Sequence, residues 1–393
     1  MSAFTTFFDS GVNTDGIWNF NVSYMSDSLV IEGENSETVT YAISNILKVA
    51  LDSLERKEKY LHFPKVHRND VQGPLKKVLE ALRVSSPQNQ DYGSYAKKII
   101  EGALEDSESK PDEWINSLSM MSIESDGSIH FGNTSKTKIS NLQLFKVEKY
   151  EHGKGFGDLK VKADFIFDEK WFSLVIAGFC LTYSAFTQGE IILSIVPEEV
   201  LIRSLRDREY KRAVKELTGS NNLLVSFFGE RGIFRLPEKI NLPPNPIDAY
   251  SILLGIALKN EGFVIEGFPY VLARLRFTGQ TFTLLEKSDI RIEPFLDFAK
   301  KLSKKTLEVL REFLVGTIML SYYRNDYYAS KYGDYSVCYR LVQSLYQTIL
   351  GSRKPEETVY IMARSLPENS PLRDEWILRD IYEVFFPTIR ETC

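Results

Sequence analysis

Histidine and cysteine are scarce in this chain: four and three among 393 residues. His62, His67, His130 and His152 form no HExxH, HxH or HD pattern, so the ligands for a histidine-rich metal centre are missing. Cys180, Cys338 and Cys393 stand far apart without a CxxC pair. An odd, scattered set speaks for a reducing cytosol and against a disulfide framework or a zinc ribbon. Neither a GxSxG elbow nor a GxxxxGK[ST] phosphate loop occurs. The opening residues carry no basic segment followed by an apolar run, so a signal peptide is not expected. The uncharged stretch from Trp171 to Gly189 comes near the length of a membrane span. Ser173, Thr182, Ser184, Thr187 and Gln188 make it too polar for one, and a buried helix or strand pair is expected instead. These absences predict a cytoplasmic chain with no membrane contact, no metal and no other cofactor. Few Gln, Cys and Met beside abundant Lys, Glu and Ile lean toward a thermophilic source.

What is present is the composition of a globular protein, 43% apolar and 26% charged, with a high 12% of aromatic residues. The length allows two or three domains. A net charge of −5 argues against a binder of nucleic acid over its whole surface, but leaves room for a local basic surface. Short strands are expected at Trp18–Tyr24 and Ser28–Gly33. Helices follow at Ser36–Lys59, Gly73–Leu82 and Tyr95–Leu104, then an exposed loop at Ser107–Asp112. A hairpin is expected at Met121–Gly132, and alternating strands at Leu142–Tyr150 and Asp158–Phe167. An arginine-rich helix at Glu198–Leu217, a proline-rich link at Arg235–Pro246 and a helix at Pro246–Lys259 come next. A last hairpin spans Tyr270–Phe277 and Thr281–Lys287. After Pro294 the pattern is helical, with Leu307, Leu310, Leu314 and Ile318 on one face and Gly351 at a helix end. The expected fold class is α+β: a mixed α/β body with antiparallel hairpins over 1–292, then a bundle of about four helices over 293–393.

Seven of the twenty tyrosines lie between Tyr322 and Tyr339. Rings interleaved with Arg324, Lys331 and Arg340 are what a single strand of nucleic acid needs, yet tyrosine at helical spacing also builds a helix seam. Tyr328, Tyr332, Tyr335 and Tyr339 would share one face if helical, leaving Arg324, Tyr327 and Lys331 off the stripe. Arg324-Asn325 resembles the start of the Arg-x4–6-His motif of HEPN ribonucleases, but no histidine follows it, so that catalytic reading fails. The glycine loop His152–Gly157 joins two strands and does not open a helix, so it is no dinucleotide fingerprint. It reads as a wide hairpin turn, or as a finger presenting Lys154 as a charge and Phe156 as a wedge. From Arg56 to Arg83 eight Lys or Arg face three acids. Lys300, Lys301, Lys304 and Lys305 cluster at the start of the helical region, and Arg274 and Arg276 share one face of a strand. Separate basic patches in an acidic chain suggest a track for a polyanion.

The order of parts resembles the Cas8 family, the large subunits of archaeal type I-A CRISPR Cascade complexes. The resemblance lies in Asp9–Gly16 opening an α+β domain, VIAGF at Val175–Phe179, NPIDAY at Asn245–Tyr250, and a helical bundle carrying VYIMARSLPEN at Val359–Asn369. It implies a non-catalytic DNA- and RNA-binding role in antiviral defense: recognising the protospacer-adjacent motif and supporting unwinding and R-loop formation. The implied partners are crRNA, target DNA and the backbone, small and helicase–nuclease subunits. The candidate contacts are Lys65, Arg68, Lys76, Lys77, Lys154, Phe156, Arg274, Arg276, Lys300, Lys301, Lys304, Arg324, Tyr327 and Lys331. Two other readings stay open: an adaptor whose tyrosine-rich bundle packs on another protein, and a metal-independent ribonuclease using His62 or His67 with nearby lysines.

Overall fold

A computed structural model describes residues 20–24, 29–33, 36–60, 63–125, 127–145, 165–187, 190–195, 247–260, 269–277, 282–320 and 326–385. Of these, 20–195 and 271–287 make one compact unit, and 247–260, 269–270 and 288–385 another. The class is α+β: strands and helices mix in the first unit and helices make up most of the second.

In the first unit, helix α1 (Ser36–Tyr60) buries Ile43, Ile46, Leu47, Ala50 and Leu54, three or four residues apart, along one stripe. A helical run follows: a turn at Arg68–Asp70, a π-helical turn at Val71–Leu75 and α2 (Lys76–Leu82). It starts five residues before the expected Gly73. Pro74 lacks an N–H and cannot join the regular ladder, and the wider turn accommodates it. Helices α3 (Tyr92–Ser109) and α4 (Pro111–Leu118) meet at Lys110. The loop expected at Ser107–Asp112 is therefore almost wholly helical. Ser107 is buried against the Ser44 hydroxyl at 3.0 Å, and Pro111 sits at a first-turn position that tolerates it.

The uncharged stretch resolves into helix α5 (Glu169–Thr182) running directly into a strand. Phe172, Leu174, Ile176, Ala177, Phe179 and Leu181 are all buried, so α5 is a core helix on nearly every side. Its end groups must then find partners inside the protein. At the N-terminus the buried Asp168 carboxylate accepts from the Trp171 amide at 3.0 Å, the Asn133 amide at 2.8 Å and the Ser117 hydroxyl at 2.5 Å. At the C-terminus buried Lys57 of α1 donates to the Cys180 carbonyl at 2.5 Å and the Leu181 carbonyl at 3.0 Å. No helix among the described residues is long and apolar enough to cross a membrane.

Two four-stranded sheets complete the unit. Strands β3 (Met121–Ile123), β4 (Ile129–Phe131), β5 (Ile139–Ser140) and β6 (Phe165–Phe167) lie in the order β3-β4-β6-β5, with β4 and β6 parallel. Strands β7 (Tyr183–Thr187), β8 (Glu190–Ile195), β9 (Pro269–Phe277) and β10 (Phe282–Arg291) lie in the order β10-β9-β8-β7. Strands β1 (Phe20–Tyr24) and β2 (Leu29–Gly33) form a separate antiparallel pair. The expected hairpins at 121–132 and 270–287 are present. Of the strand expected at Leu142–Tyr150, Gln143–Phe145 form a 3-10 turn, held by the Gln143 amide on the Asp70 carboxylate at 3.0 Å, and residues 146–150 lie outside the described residues. The expected elements at Glu198–Leu217 and Arg235–Pro246 lie outside the described residues.

The second unit contains α6 (Ile247–Asn260) and then six helices among the described residues: α7 (Glu293–Lys301), α8 (Lys304–Leu320), α9 (Asp326–Tyr332), α10 (Tyr335–Ile349), α11 (Pro355–Ser365) and α12 (Glu375–Phe385). Helices α6 and α7 cross closely at Gly255, where a Cβ would lie 2.4 Å from the Phe295 carbonyl carbon. Six helices appear where about four were expected because the chain breaks twice, between α7 and α8 at Leu302–Ser303 and within the tyrosine segment. Gly333, at φ +91°, ends α9, and the Asp334 carboxylate caps α10 by accepting from the Val337 amide at 2.9 Å.

Burial among neutral carbonyls lowers the Lys57 ammonium to about 7, against a weaker opposing pull from Cys180. The unfolded chain keeps that proton to about 10.4. Between these values the unfolded state binds more protons, so this group makes stability rise with pH. The buried Cys180 and Cys338 thiols, pushed up to about 12, act oppositely once unfolded thiols ionise near 8.5. In denaturant titrations from pH 7 to 8.5, the parent protein gains about 1–2 kcal/mol relative to Lys57→Met. Parallel profiles for the two proteins refute this assignment.

Candidate nucleic-acid interface

The helical run over 68–82 has a sharply divided surface. Inward lie Asp70, Leu75, Val78, Leu79 and Leu82; outward lie Arg68, Asn69, Gln72, Lys76, Lys77 and Glu80. Asp70 fixes the run from below, accepting from the Tyr92 hydroxyl at 2.7 Å as well as from Gln143. His67 caps it, with Nδ1 accepting from the Asn69 amide at 3.2 Å. The segment before it is tied down by the Val66 amide on the Gln90 carbonyl at 3.0 Å and the Tyr92 amide on the Pro64 carbonyl at 3.0 Å. A buried, hydrogen-bonded floor thus holds an exposed row of cations.

Lys77 reaches across to the loop before β5, donating to the Lys138 carbonyl at 2.9 Å. This contact joins Lys77 to Lys138, sixty-one positions on, with Lys136 on the same loop, and both loop lysines are exposed. Neither was singled out in the sequence, because two lysines in a polar loop carry no periodic signal. Lys65, Arg68, Lys136 and Lys138 form no ion pair among the described residues, whereas Lys76 stands 3.8 Å from Glu80 with both side chains well exposed. An exposed pair of that kind is worth little and leaves Lys76 available. Lys57, counted with this stretch from its sequence position, is instead buried under α5 and adds nothing to the surface.

The other candidates are arranged differently. On β9, Arg276 is exposed but Arg274 is buried, so the pair does not present two guanidinium groups to solvent. Val271, Ala273 and Leu275 on the opposite face are buried. Lys300 and Lys301 end α7 while Lys304 opens α8, all exposed. The intervening Ser303 is fixed by Asp380, through its amide at 3.1 Å and hydroxyl at 2.7 Å. Lys305 lies 4.1 Å over the Trp376 ring. Cations suit the end of α7, but at the start of α8 they oppose the helix dipole by about 0.3–1 kcal/mol each. Lys154, Phe156 and Arg324 lie outside the described residues.

The tyrosine segment is mostly a seam. Tyr328 and Tyr332 are buried, and Tyr332 meets Phe313 of α8 edge-on at 5.3 Å. Tyr335 and Tyr339 stack separately on α10 at 5.7 Å, so the expected single stripe is two pairs divided at Gly333. Tyr327 is exposed, but its hydroxyl donates to Glu312 at 3.2 Å. Lys331 hydrogen-bonds the same carboxylate. Partial burial disfavours the Lys331 ammonium, and its contacts with Glu312 and Tyr327 together outweigh this and raise its pKa. Its charge is thus matched within the unit. His67 is a helix cap, and buried His130 contacts the Thr134 hydroxyl at 2.8 Å; His62 lies outside the described residues. Among the described residues no group of His, Cys, Asp and Glu is arranged to hold a metal.

No protein-family model, curated protein or solved structure matches the chain.

Two neighbouring tyrosines should separate cleanly in mutagenesis. Tyr332→Ala empties a fully buried ring site and lowers the stability of the second unit by about 3–5 kcal/mol. Tyr327→Ala, at an exposed position, changes it by no more than about 0.5 kcal/mol. Thermal and urea denaturation of the two variants check the pair.

Proposed function

We propose that this chain is a non-catalytic nucleic-acid-binding subunit, and that it serves as the large subunit of an RNA-guided surveillance complex. In that role it recognises the protospacer-adjacent motif and supports DNA unwinding and R-loop formation, with crRNA, target DNA and the backbone, small and helicase–nuclease subunits as partners. The observation that supports binding is the cluster of exposed cations on the first unit: Lys65, Arg68, Lys76, Lys77, Lys136 and Lys138, in a chain of net charge −5. The identity of the assembly rests on the resemblance of the chain's segments to the large-subunit family.

The chemistry of this surface favours phosphate over base. Among the described residues, the exposed large apolar side chains are Met120, Met121, Ile123, Phe165, Leu285, Tyr327, Leu350 and Tyr360, and none belongs to the basic run or its loop. Among the described residues, no exposed ring in the run or its loop offers a stacking platform for bases. Contacts to phosphates position a nucleic acid without reading it. That division suits an assembly in which a guide RNA supplies sequence recognition.

Duplex binding measured against salt tests the surface. Lys65→Ala, Arg68→Ala, Lys77→Ala and Lys138→Ala should each weaken binding to unrelated sequences equally and reduce the slope of log K on log salt by about 1. An unchanged slope after all four substitutions would sink the assignment. Purification from the native host tests the assembly: crRNA and sibling subunits should accompany the chain, and their absence favours the adaptor reading.

A further inference from the structure

Among the described residues, strand β3 is a sheet edge with no strand on its outer side. The Glu124 amide donates to the Ser128 carbonyl at 2.9 Å and the Gly132 amide to the Met120 carbonyl at 2.9 Å. With Ser122 opposite His130, the even positions 120, 122 and 124 therefore turn their backbone groups toward β4. Met121 and Ile123 turn theirs away from β4, each offering an N–H and a C=O to the open side. Their side chains are also exposed, at 66% and 71%, with Met120 at 48%. Edges meant to remain free are commonly guarded by lysine, proline or a bulge, and β3 has none of these.

We propose that β3 is the seam of a symmetric dimer, pairing antiparallel with β3 of a second copy about a two-fold axis at Ser122. The occupant follows from self-complementarity. In this register Met121 faces Ile123 of the second copy, and Ile123 faces its Met121. Each strand's outward donors then meet the other's acceptors, giving an isologous contact. The two-fold axis is perpendicular to the sheet, so each copy keeps the same face forward. The row Phe167, Phe131, Met121 of one copy then continues into the row Ile123, Ile129, Phe165 of the other. That extension covers the exposed Met121 and Ile123 side chains with apolar neighbours. The one charged residue of the pairing stretch, Glu124, falls opposite Met120 and not opposite its own copy, so no like charges meet. A strand of three residues gives a small contact, and the dimer is reversible.

Ser122 is exposed and would lie across the axis from its own copy as a non-hydrogen-bonded pair, with Cα atoms about 4.5 Å apart, within disulfide reach. In a Cys393→Ser background, whose Cys180 and Cys338 are buried, Ser122→Cys should crosslink under mild oxidation several-fold more than Ser125→Cys. Met121→Pro removes one outward N–H while sparing the ladder to β4, and should sediment as a monomer where the parent self-associates with concentration. Equal crosslinking at 122 and 125 overturns the proposal, as does a folded Met121→Pro chain that associates as the parent does. The loss of nucleic-acid binding by the lysine variants is independent of either outcome.

Discussion

The core of the first unit depends on a helix that is apolar almost all round and is therefore obliged to solve the problem of its own ends. Helix α5 contributes Phe172, Leu174, Ile176, Phe179 and Leu181 to one continuous core with the buried stripe of α1. Water cannot reach the end groups of such a helix, and leaving a buried carbonyl or amide unpaired costs about 1–3 kcal/mol each. The chain answers with a charged residue at each end, Asp168 at the N-terminus and Lys57 at the C-terminus. Both signs agree with the helix dipole. Because Lys57 belongs to α1 and Asp168 also binds Ser117 and Asn133, capping α5 fixes the positions of α1, α4 and the segment after β4 together.

This arrangement explains which parts of the fold could be read from sequence. Periodicity gives α1 and the hairpins directly, and the polar residues within Trp171–Gly189 correctly argue for a buried element over a membrane span. Gly351 marks a helix end in both sequence and structure, with φ +74°. What periodicity cannot give is the use of a polar residue in a contact far along the chain. Lys57 sits among charged neighbours in sequence, in Glu55-Arg56-Lys57-Glu58, and nothing local distinguishes it from a surface lysine. Its partner carbonyls are more than 120 positions away. Pro74 misleads in the other direction, because a proline usually ends a helix, whereas here a π-turn carries the run through it.

The same distinction separates the cations by what they do. Lys57 satisfies carbonyls, Lys170 is paired with Glu169, Lys331 with Glu312, and Lys305 lies on Trp376. These charges are matched internally and hold structure. Among the described residues, Lys65, Arg68, Lys136 and Lys138 are exposed and make no ion pair, and Lys77 donates to a backbone carbonyl. A count of basic residues along the sequence merges the two classes, which is why Lys57 inflates the first patch and why Lys331 looked available. Lys136 and Lys138 are the reverse case: a modest loop in sequence becomes part of a basic surface once Lys77 reaches it.

A surface of unmatched cations is useful only if it does not collapse onto nearby acids. The nearest acid in the run, Asp70, is withdrawn into the interior and saturated by Tyr92 and Gln143, so it neither neutralises Arg68 nor repels a phosphate from outside. The exposed side of the run thus carries its cations with Glu80 as its one outward acid, while the Asp70 carboxylate serves as a buried anchor. The anchor also makes the surface stiff: Asp70 joins the run to α3 and to the turn after β5, the strand that the Lys138 loop leads into. Cations on a rigid element lose less freedom when they meet a ligand than cations on a mobile tail. The burial of Asp70 therefore connects packing to the recognition we propose, since the contacts that fold this run also hold its cations in place.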